Sequence, residues 1–355
     1  MDNRVENLHI ISEVPLIRPD QVKAMYPLTP ESIDTVMQGQ QQIRNILDGK
    51  DKRLFVVVGP CSIHDVELAL DYAKRLKTLA DELKESLCIV MRVYFEKPRT
   101  SIGWQGLIND PDMDGSCDIA KGLLMSRKLL LKIAELGLPA AGEALDLITP
   151  QYVQDLFSWT AIGARTTESQ THRKMASGFS APVGFKNGTN GDYDVAINAI
   201  ICAAHKNDFV SIDPLGQVAV IRTKGNPYTH MVLRGGSDGP NYDEKHISAC
   251  EKQLAHGGLP LNIMVDCSHA NAQKNHLKQR AVLDDIAQQI IDGNQSIKGV
   301  MVESNIKAGN QPIPADHGQL AYGVSVTDKC IDWQMTEDAL RELAQKTAVA
   351  LKSRG

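Results

Sequence analysis

The chain has 355 residues, 43% of them apolar and 23% charged, with a formal net charge of -5 and seven cysteines. That size allows one large core such as a barrel, and the acidic balance argues against a general nucleic-acid binder, whose footprint is a basic excess. No apolar stretch approaches the roughly 18 residues of a membrane span, no secretory leader is visible, and an odd cysteine count without a C-x-x-C pair argues against a disulfide framework, so a cytoplasmic protein with neither membrane nor nucleic acid as partner is expected.

Residues 1–50 carry an extended apolar patch at 9–14 and a helical pattern at 30–47, read as an N-terminal arm for oligomerisation or regulation ahead of a catalytic barrel at 51–355. Short apolar runs follow at 54–58, 89–94, 138–144, 161–164, 182–185, 231–233, 263–265 and 299–302. Between them lie helical patterns at 65–83, 122–136, 151–159, 193–204, 244–255, 282–292 and 336–351. Continuous, partly β-branched runs fit strands buried on both faces. About eight alternations of strand and helix predict an α/β fold of the (β/α)8 TIM-barrel type. A doubly wound sheet is the rival, but no G-x-G-x-x-G follows the first run. At about 209–228 two β-like runs bracket Asp213-Pro214-Leu215-Gly216, which predicts a β-hairpin inserted before the sixth barrel strand. Arm and hairpin read equally as packing decoration or as a partner or regulatory surface.

In such a barrel all strand ends share one rim, where active sites are built. The rim would gather Arg92, Lys97, Arg99, Arg165, Lys186 and Arg234 in a chain that is net acidic. Clustered cations repel, so folding alone gives no reason for the grouping; an anionic ligand does, and guanidinium groups suit phosphate and carboxylate. Cys61, His269, Glu303 and Asp328 fall on the same rim, with His64, His172 and His276 as alternative imidazoles. A thiolate, an imidazole and two carboxylates suit a divalent first-row transition ion better than magnesium or calcium.

Several motifs resemble the type I 3-deoxy-D-arabino-heptulosonate-7-phosphate (DAHP) synthases, the class regulated by aromatic amino acids. They are Gly59-Pro60-Cys61-Ser62-Ile63-His64-Asp65, Phe95-Glu96-Lys97-Pro98-Arg99-Thr100-Ser101, Gly163-Ala164-Arg165-Thr166-Thr167-Glu168-Ser169, Pro182-Val183-Gly184-Phe185-Lys186-Asn187-Gly188-Thr189, Leu233-Arg234-Gly235-Gly236, Ser268-His269-Ala270-Asn271 and Val302-Glu303-Ser304. The resemblance covers nearly the whole chain. It implies condensation of phosphoenolpyruvate with erythrose 4-phosphate to DAHP and phosphate, the first step of the shikimate pathway. It also implies a metal site at Cys61, His269, Glu303 and Asp328, filled by manganese, iron, cobalt or zinc.

Phosphoenolpyruvate is then expected at Arg92, Lys97, Glu143, Arg165, Lys186 and Arg234, with backbone help from Gly163 and Ala164. The sugar phosphate is expected at Lys97, Pro98, Arg99 and Thr100. Lys97 is the expected proton donor to the aldehyde oxygen, and Glu143 the group that orients water. An effector pocket is implied at Pro150, Gln151, Ser180, Phe209 and Ser211, in a homodimer or homotetramer. Ser211 favours phenylalanine over tyrosine as effector, whereas Val324-Ser325-Val326-Thr327-Asp328 looks more like the tyrosine-sensitive kind. The alternatives are the sister synthase making 3-deoxy-D-manno-octulosonate 8-phosphate from arabinose 5-phosphate, a Schiff-base aldolase with Lys186 as nucleophile, and a non-catalytic sensor.

Overall fold

The computed structural model describes residues 5–99 and 102–354. Its strands are β1 (Leu54–Gly59), β2 (Leu87–Arg92), β3 (Ala140–Glu143), β4 (Trp159–Ile162), β5 (Val183–Lys186), β6 (Asp208–Ile212), β7 (Val218–Arg222), β8 (Thr229–Leu233), β9 (Ile263–Asp266) and β10 (Ile297–Glu303). All but β6 and β7 run parallel around a closed barrel, from β1 through β5 to β8, β9 and β10 and back to β1. The helices are α1 (Pro19–Met25), α2 (Pro30–Leu47), α3 (Val66–Leu83), α4 (Ile119–Glu135), α5 (Pro150–Val153), α6 (Gln170–Ala176), α7 (Asp194–Ala204), α8 (Glu244–His256), α9 (Gln279–Ile291) and α10 (Trp333–Lys352). The expected TIM barrel is present.

The strands obey a strict two-residue rule, because successive side chains of a strand point to opposite faces. Phe55, Val57, Cys88, Val90, Ala141, Trp159, Ala161, Val232, Met264 and Met301 form one buried cluster inside the barrel, while their neighbours along each strand join the larger core beneath the helices. Two residues further along each strand, the same inward parity reaches Gly59, Arg92, Glu143, Gly163, Lys186, Arg234, Asp266 and Glu303. Barrel interior and rim are therefore one stack, apolar below and ionised at the top.

The arm supplies the floor. Ile43, Ile46 and Leu47 of α2 belong to the same interior cluster, each contributing roughly 1.5–3 kcal/mol by burial. Thr29 and Ser32 cap α2 reciprocally. At Gly39 the helix passes so close to the wall that a Cβ would lie 2.4 Å from Ser158 Oγ.

The hairpin of β6 and β7 is antiparallel and closed by a turn in which Asp213 Oδ1 accepts from the N–H of Leu215 and Gln217. Arm and hairpin meet where Asp20 donates its N–H to the Pro214 carbonyl at 2.9 Å. Val210, Val218 and Val220 of the hairpin are exposed, as are Leu8, Ile11 and Val14 of the arm.

Two local expectations fail. The helix read at 151–159 stops at Val153, continues as a 3-10 turn to Leu156 and gives way to β4. Ser158 donates its N–H to Ala140, Trp159 pairs in register with Ala141, and the indole N–H donates to His230 Nε2 at 2.9 Å. Barrel pairing thus overrides the helical period, and β4 begins two residues earlier than its apolar run. The short α6, capped by Ser169, was not anticipated.

Candidate functional site

A cavity of about 760 Å³ opens at the carboxyl ends of the barrel strands. Eight lysines and arginines line it against three carboxylates, an excess that a dense anion would balance.

Three donors converge at one side. The Cys61 sulfur, a Glu303 carboxylate oxygen and an Asp328 carboxylate oxygen all lie within 4.8 Å of one another. His269 stands beside them, with Nε2 3.8 Å from Glu303 Oε1. Its other nitrogen, Nδ1, is already engaged at 2.8 Å by Asp266 and at 2.7 Å by the Ser268 hydroxyl, which leaves Nε2 for a ligand. A soft sulfur, an imidazole with its far nitrogen anchored and two carboxylates fit a divalent transition ion. Of the alternative histidines, His172 uses both ring nitrogens on Ser169 and Leu145; His64 and His276, like His269, lie outside the three-donor cluster, but it is the His269 ring that comes within 4 Å of Glu303.

The electrostatics support the same grouping. Burial, reinforced by Glu303, pushes the Cys61 thiol up to about 11, so a cation is needed there to favour the thiolate. Burial opposes the Glu303 carboxylate, but His269, Arg92 and Lys97 outweigh it and hold its pKa down. The Lys97 ammonium, 8% exposed, lies 3.0 Å from the Cys61 sulfur and 3.9 Å from Asp328. Burial works against its charge, yet Cys61, Glu303 and Asp328 raise its pKa.

Arg92 is wholly buried, bonded to Glu303 at 2.9 Å and to the carbonyls of Pro60 and Cys61, with its guanidinium 3.5 Å from the centre of the Tyr94 ring. Lys186 pairs with Asp266 at 3.0 Å. Burial lowers the Arg234 pKa, and the Arg165 charge adds to that against Asp266. Both guanidinium groups line the cavity. Position 163 is tight against Glu143: a Cβ there would sit 2.3 Å from Glu143 Oε1. Thr166 and Thr167 close the turn on the Gly163 carbonyl. Arg99 donates Nε to the Trp104 carbonyl at 2.8 Å and lines the cavity with Pro98 and Ala164; Thr100 lies outside the described residues.

Sequence reading missed the layer that positions these groups. Asn187 Oδ1 accepts the backbone N–H of Arg234 at 2.8 Å, and its amide donates to Gly188 and Gly235. Asn241 Oδ1 accepts from Gly235, and Asn271 spans Asn241, Leu233 and Asp266. These three buried asparagines fix the β5, β8 and β9 ends against one another. The motifs around Lys186 and His269 contained Asn187 and Asn271; a test for buried partners of the charged residues would have singled them out.

The expected effector residues lie in a second region. Pro150 and Gln151 open α5, Ser211 Oγ is 3.5 Å from the Leu147 carbonyl, Phe209 packs on the core from the hairpin, and the Ser180 carbonyl accepts from Arg44. The arm reaches the same helix, with Tyr152 donating to Ile17 at 2.7 Å. Thr149, just before α5, donates at 2.9 Å to buried Glu96 beside Lys97, which ties the two regions together.

A family model described as the DAHP synthetase I family matches residues 26–341. The chain is 54% identical over 341 residues to the Tyr-sensitive phospho-2-dehydro-3-deoxyheptonate aldolase of Escherichia coli strain K12, covering 96% of each. It is 52% identical over 344 residues to the Phe-sensitive enzyme of that strain, covering 97% of this chain and 98% of the other. A solved phospho-2-dehydro-3-deoxyheptonate aldolase of Francisella tularensis SCHU S4 matches with a TM-score of 0.94 at 48% identity, over 96% of this chain and 99% of that one.

Proposed function

The chain belongs to the DAHP synthetase I family, and on that premise we propose which of its residues carry each part of the reaction. The activity is the aldol-type condensation of phosphoenolpyruvate with erythrose 4-phosphate, giving DAHP and phosphate as the first step of the shikimate pathway. It depends on a metal and is feedback-inhibited by an aromatic amino acid. One observation carries the assignment: Glu303 and Asp328, which converge with the buried Cys61 sulfur, line the same cavity as an excess of five cationic side chains over carboxylates.

Cys61, His269, Glu303 and Asp328 hold the metal, which when bound supplies a Lewis acid for the aldehyde oxygen. The ligand set accepts manganese, iron, cobalt or zinc. Arg165, Arg234, Lys186, Arg92 and Lys97 clamp the carboxylate and phosphate of phosphoenolpyruvate, each charge-assisted contact contributing about 1.5–3 kcal/mol. The clamp holds the enol carbon against the aldehyde, and Pro98, Arg99 and Thr100 hold the sugar phosphate.

As the new carbon–carbon bond forms, Lys97 delivers a proton to the former aldehyde oxygen. Glu143, at the end of the neighbouring strand β3, orients the water that adds to the second carbon of phosphoenolpyruvate. Phosphate then leaves from the hemiketal. Lys186 does not serve as a Schiff-base nucleophile in this reading; its Nζ instead pairs with Asp266 at 3.0 Å.

The effector site comprises Pro150, Gln151, Ser180, Phe209 and Ser211, and phenylalanine is its ligand. The Tyr- and Phe-sensitive relatives match almost equally, so the choice rests on Ser211. The enzyme works in the cytoplasm as a homodimer or homotetramer. Exposed apolar side chains on arm and hairpin support that association, and no helix among the described residues is long and apolar enough to cross a membrane.

The test follows phosphoenolpyruvate absorbance with erythrose 4-phosphate and manganese, with and without EDTA, and then with each aromatic amino acid. Turnover abolished by EDTA and restored by metal supports the site. EDTA-insensitive turnover that borohydride traps at Lys186 discards it, and a preference for arabinose 5-phosphate moves the chain to the sister reaction.

A further inference from the structure

Asp266, the last residue of β9, is wholly buried and serves both halves of the cavity. Its Oδ2 accepts from Lys186 Nζ at 3.0 Å and lies 2.8 Å from His269 Nδ1. Its Oδ1 accepts from the backbone N–H and the hydroxyl of Ser268 at 3.1 and 3.2 Å. In the function proposed above Lys186 takes phosphoenolpyruvate and His269 takes the metal. A single oxygen atom therefore touches a handle of each ligand.

We propose that Asp266 is a positioning residue that couples the two sites, so that metal and phosphoenolpyruvate each tighten the other's binding. The inference rests on the assignment of Lys186 and His269 made above. A carboxylate on Nδ1 fixes the imidazole with Nε2 outward and makes it a better donor. In the free enzyme Oδ2 divides its charge between imidazole and ammonium. An anion arriving at Lys186 draws that ammonium's hydrogen bonds to itself, and more of the Oδ2 charge then falls on His269. Nε2 becomes the stronger ligand, and by linkage the metal favours the anion by the same factor. Burial strengthens the exchange, since no solvent screens the shared oxygen. Direct attraction between a cation and the anionic substrate also couples the sites, but it does not pass through Asp266, and substitution separates the two routes.

The test titrates chelator-stripped full-length protein with Mn²⁺, reading the free ion by electron paramagnetic resonance, alone and with saturating phosphoenolpyruvate. Asp266→Asn keeps the shape and removes the charge. We expect its Mn²⁺ affinity to fall about 10- to 100-fold, and the tightening by phosphoenolpyruvate to shrink at least fivefold, on the order of one allosteric coupling. Affinity within twofold of the parent, or undiminished tightening, overturns the proposal. Should Asp266→Asn fail to fold, Ser268→Ala removes the hydroxyl's bond to His269 Nδ1 and its bond to Asp266 Oδ1, and keeps the backbone N–H bond to Oδ1. It should weaken Mn²⁺ about 2- to 12-fold, and an unchanged affinity overturns the proposal equally. A parent protein that binds no Mn²⁺ removes the metal assignment itself and this inference with it.

Discussion

Replacing Gly163 by alanine tests the role of Glu143 without touching a charged group. The added Cβ would stand 2.3 Å from Glu143 Oε1, whereas heavy atoms settle at about 3.5 Å. The carboxylate must therefore retreat by about 1 Å from the place the proposed water would use. It ends a flexible side chain, so the barrel need not distort, and Cys61, His269, Glu303 and Asp328 keep their places. A displacement of that size costs on the order of 100-fold in rate, equivalent to about 3 kcal/mol of activation free energy. Steady-state kinetics at saturating metal should show kcat lower by about 10- to 100-fold with Mn²⁺ affinity unchanged. Glu143→Gln should show a similar loss, and the double variant little more than either alone, because the two changes disable one function. If the losses multiply, or if Gly163→Ala keeps its kcat, Glu143 does not orient the water and the rim position has another use.

Cys61→Ala should abolish metal-supported turnover, and a variant that retains most of its activity refutes the thiolate ligand. Arg99→Ala should raise the KM for erythrose 4-phosphate about 10- to 150-fold, the size of one charge-assisted contact, with far less effect on phosphoenolpyruvate; the reverse pattern would move the sugar phosphate elsewhere. His230 gives a pH dependence: burial lowers its pKa from 6.5 to about 4, against the Met231 carbonyl. The neutral ring therefore stabilises the fold fully above pH 6.5, and that stability drains away as pH falls toward 4, by roughly 3 kcal/mol in all. Urea unfolding at pH 7.5 and pH 5 should show parent protein losing about 2 kcal/mol more than His230→Gln, and equal losses would show that His230 does not titrate late.

The barrel was legible because its strands are buried on both faces and read as unbroken apolar runs, such as 54–58. The candidate site was legible because ionised residues interrupt those runs at their ends. What escaped was local geometry decided by distant partners. Trp159 reads as the end of a helix until Ala141 and His230 are present to pair with it. Asp266 was in view, at the end of its run, but nothing near it in sequence names Lys186 as its partner. The two-residue inward step from Met264 would have placed it on the rim, and a search for a buried counter-charge would have linked it to Lys186. The asparagine layer is silent for the same reason, since a hydrogen bond between residues 187 and 241 leaves no periodic trace.

The helix that floors the barrel also sets an order of assembly. Its apolar side chains Ile43, Ile46 and Leu47 share a cluster with Met264 and Met301, which leave the ribosome more than two hundred residues later. At the usual pace of synthesis, about 5–20 residues per second, that interval lasts on the order of ten to fifty seconds. Throughout it α2 carries an uncovered greasy face, and β1 lacks its neighbour β10. Nascent chains of this enzyme should therefore engage holdase chaperones through the apolar face of α2, and release should wait until β10 has emerged.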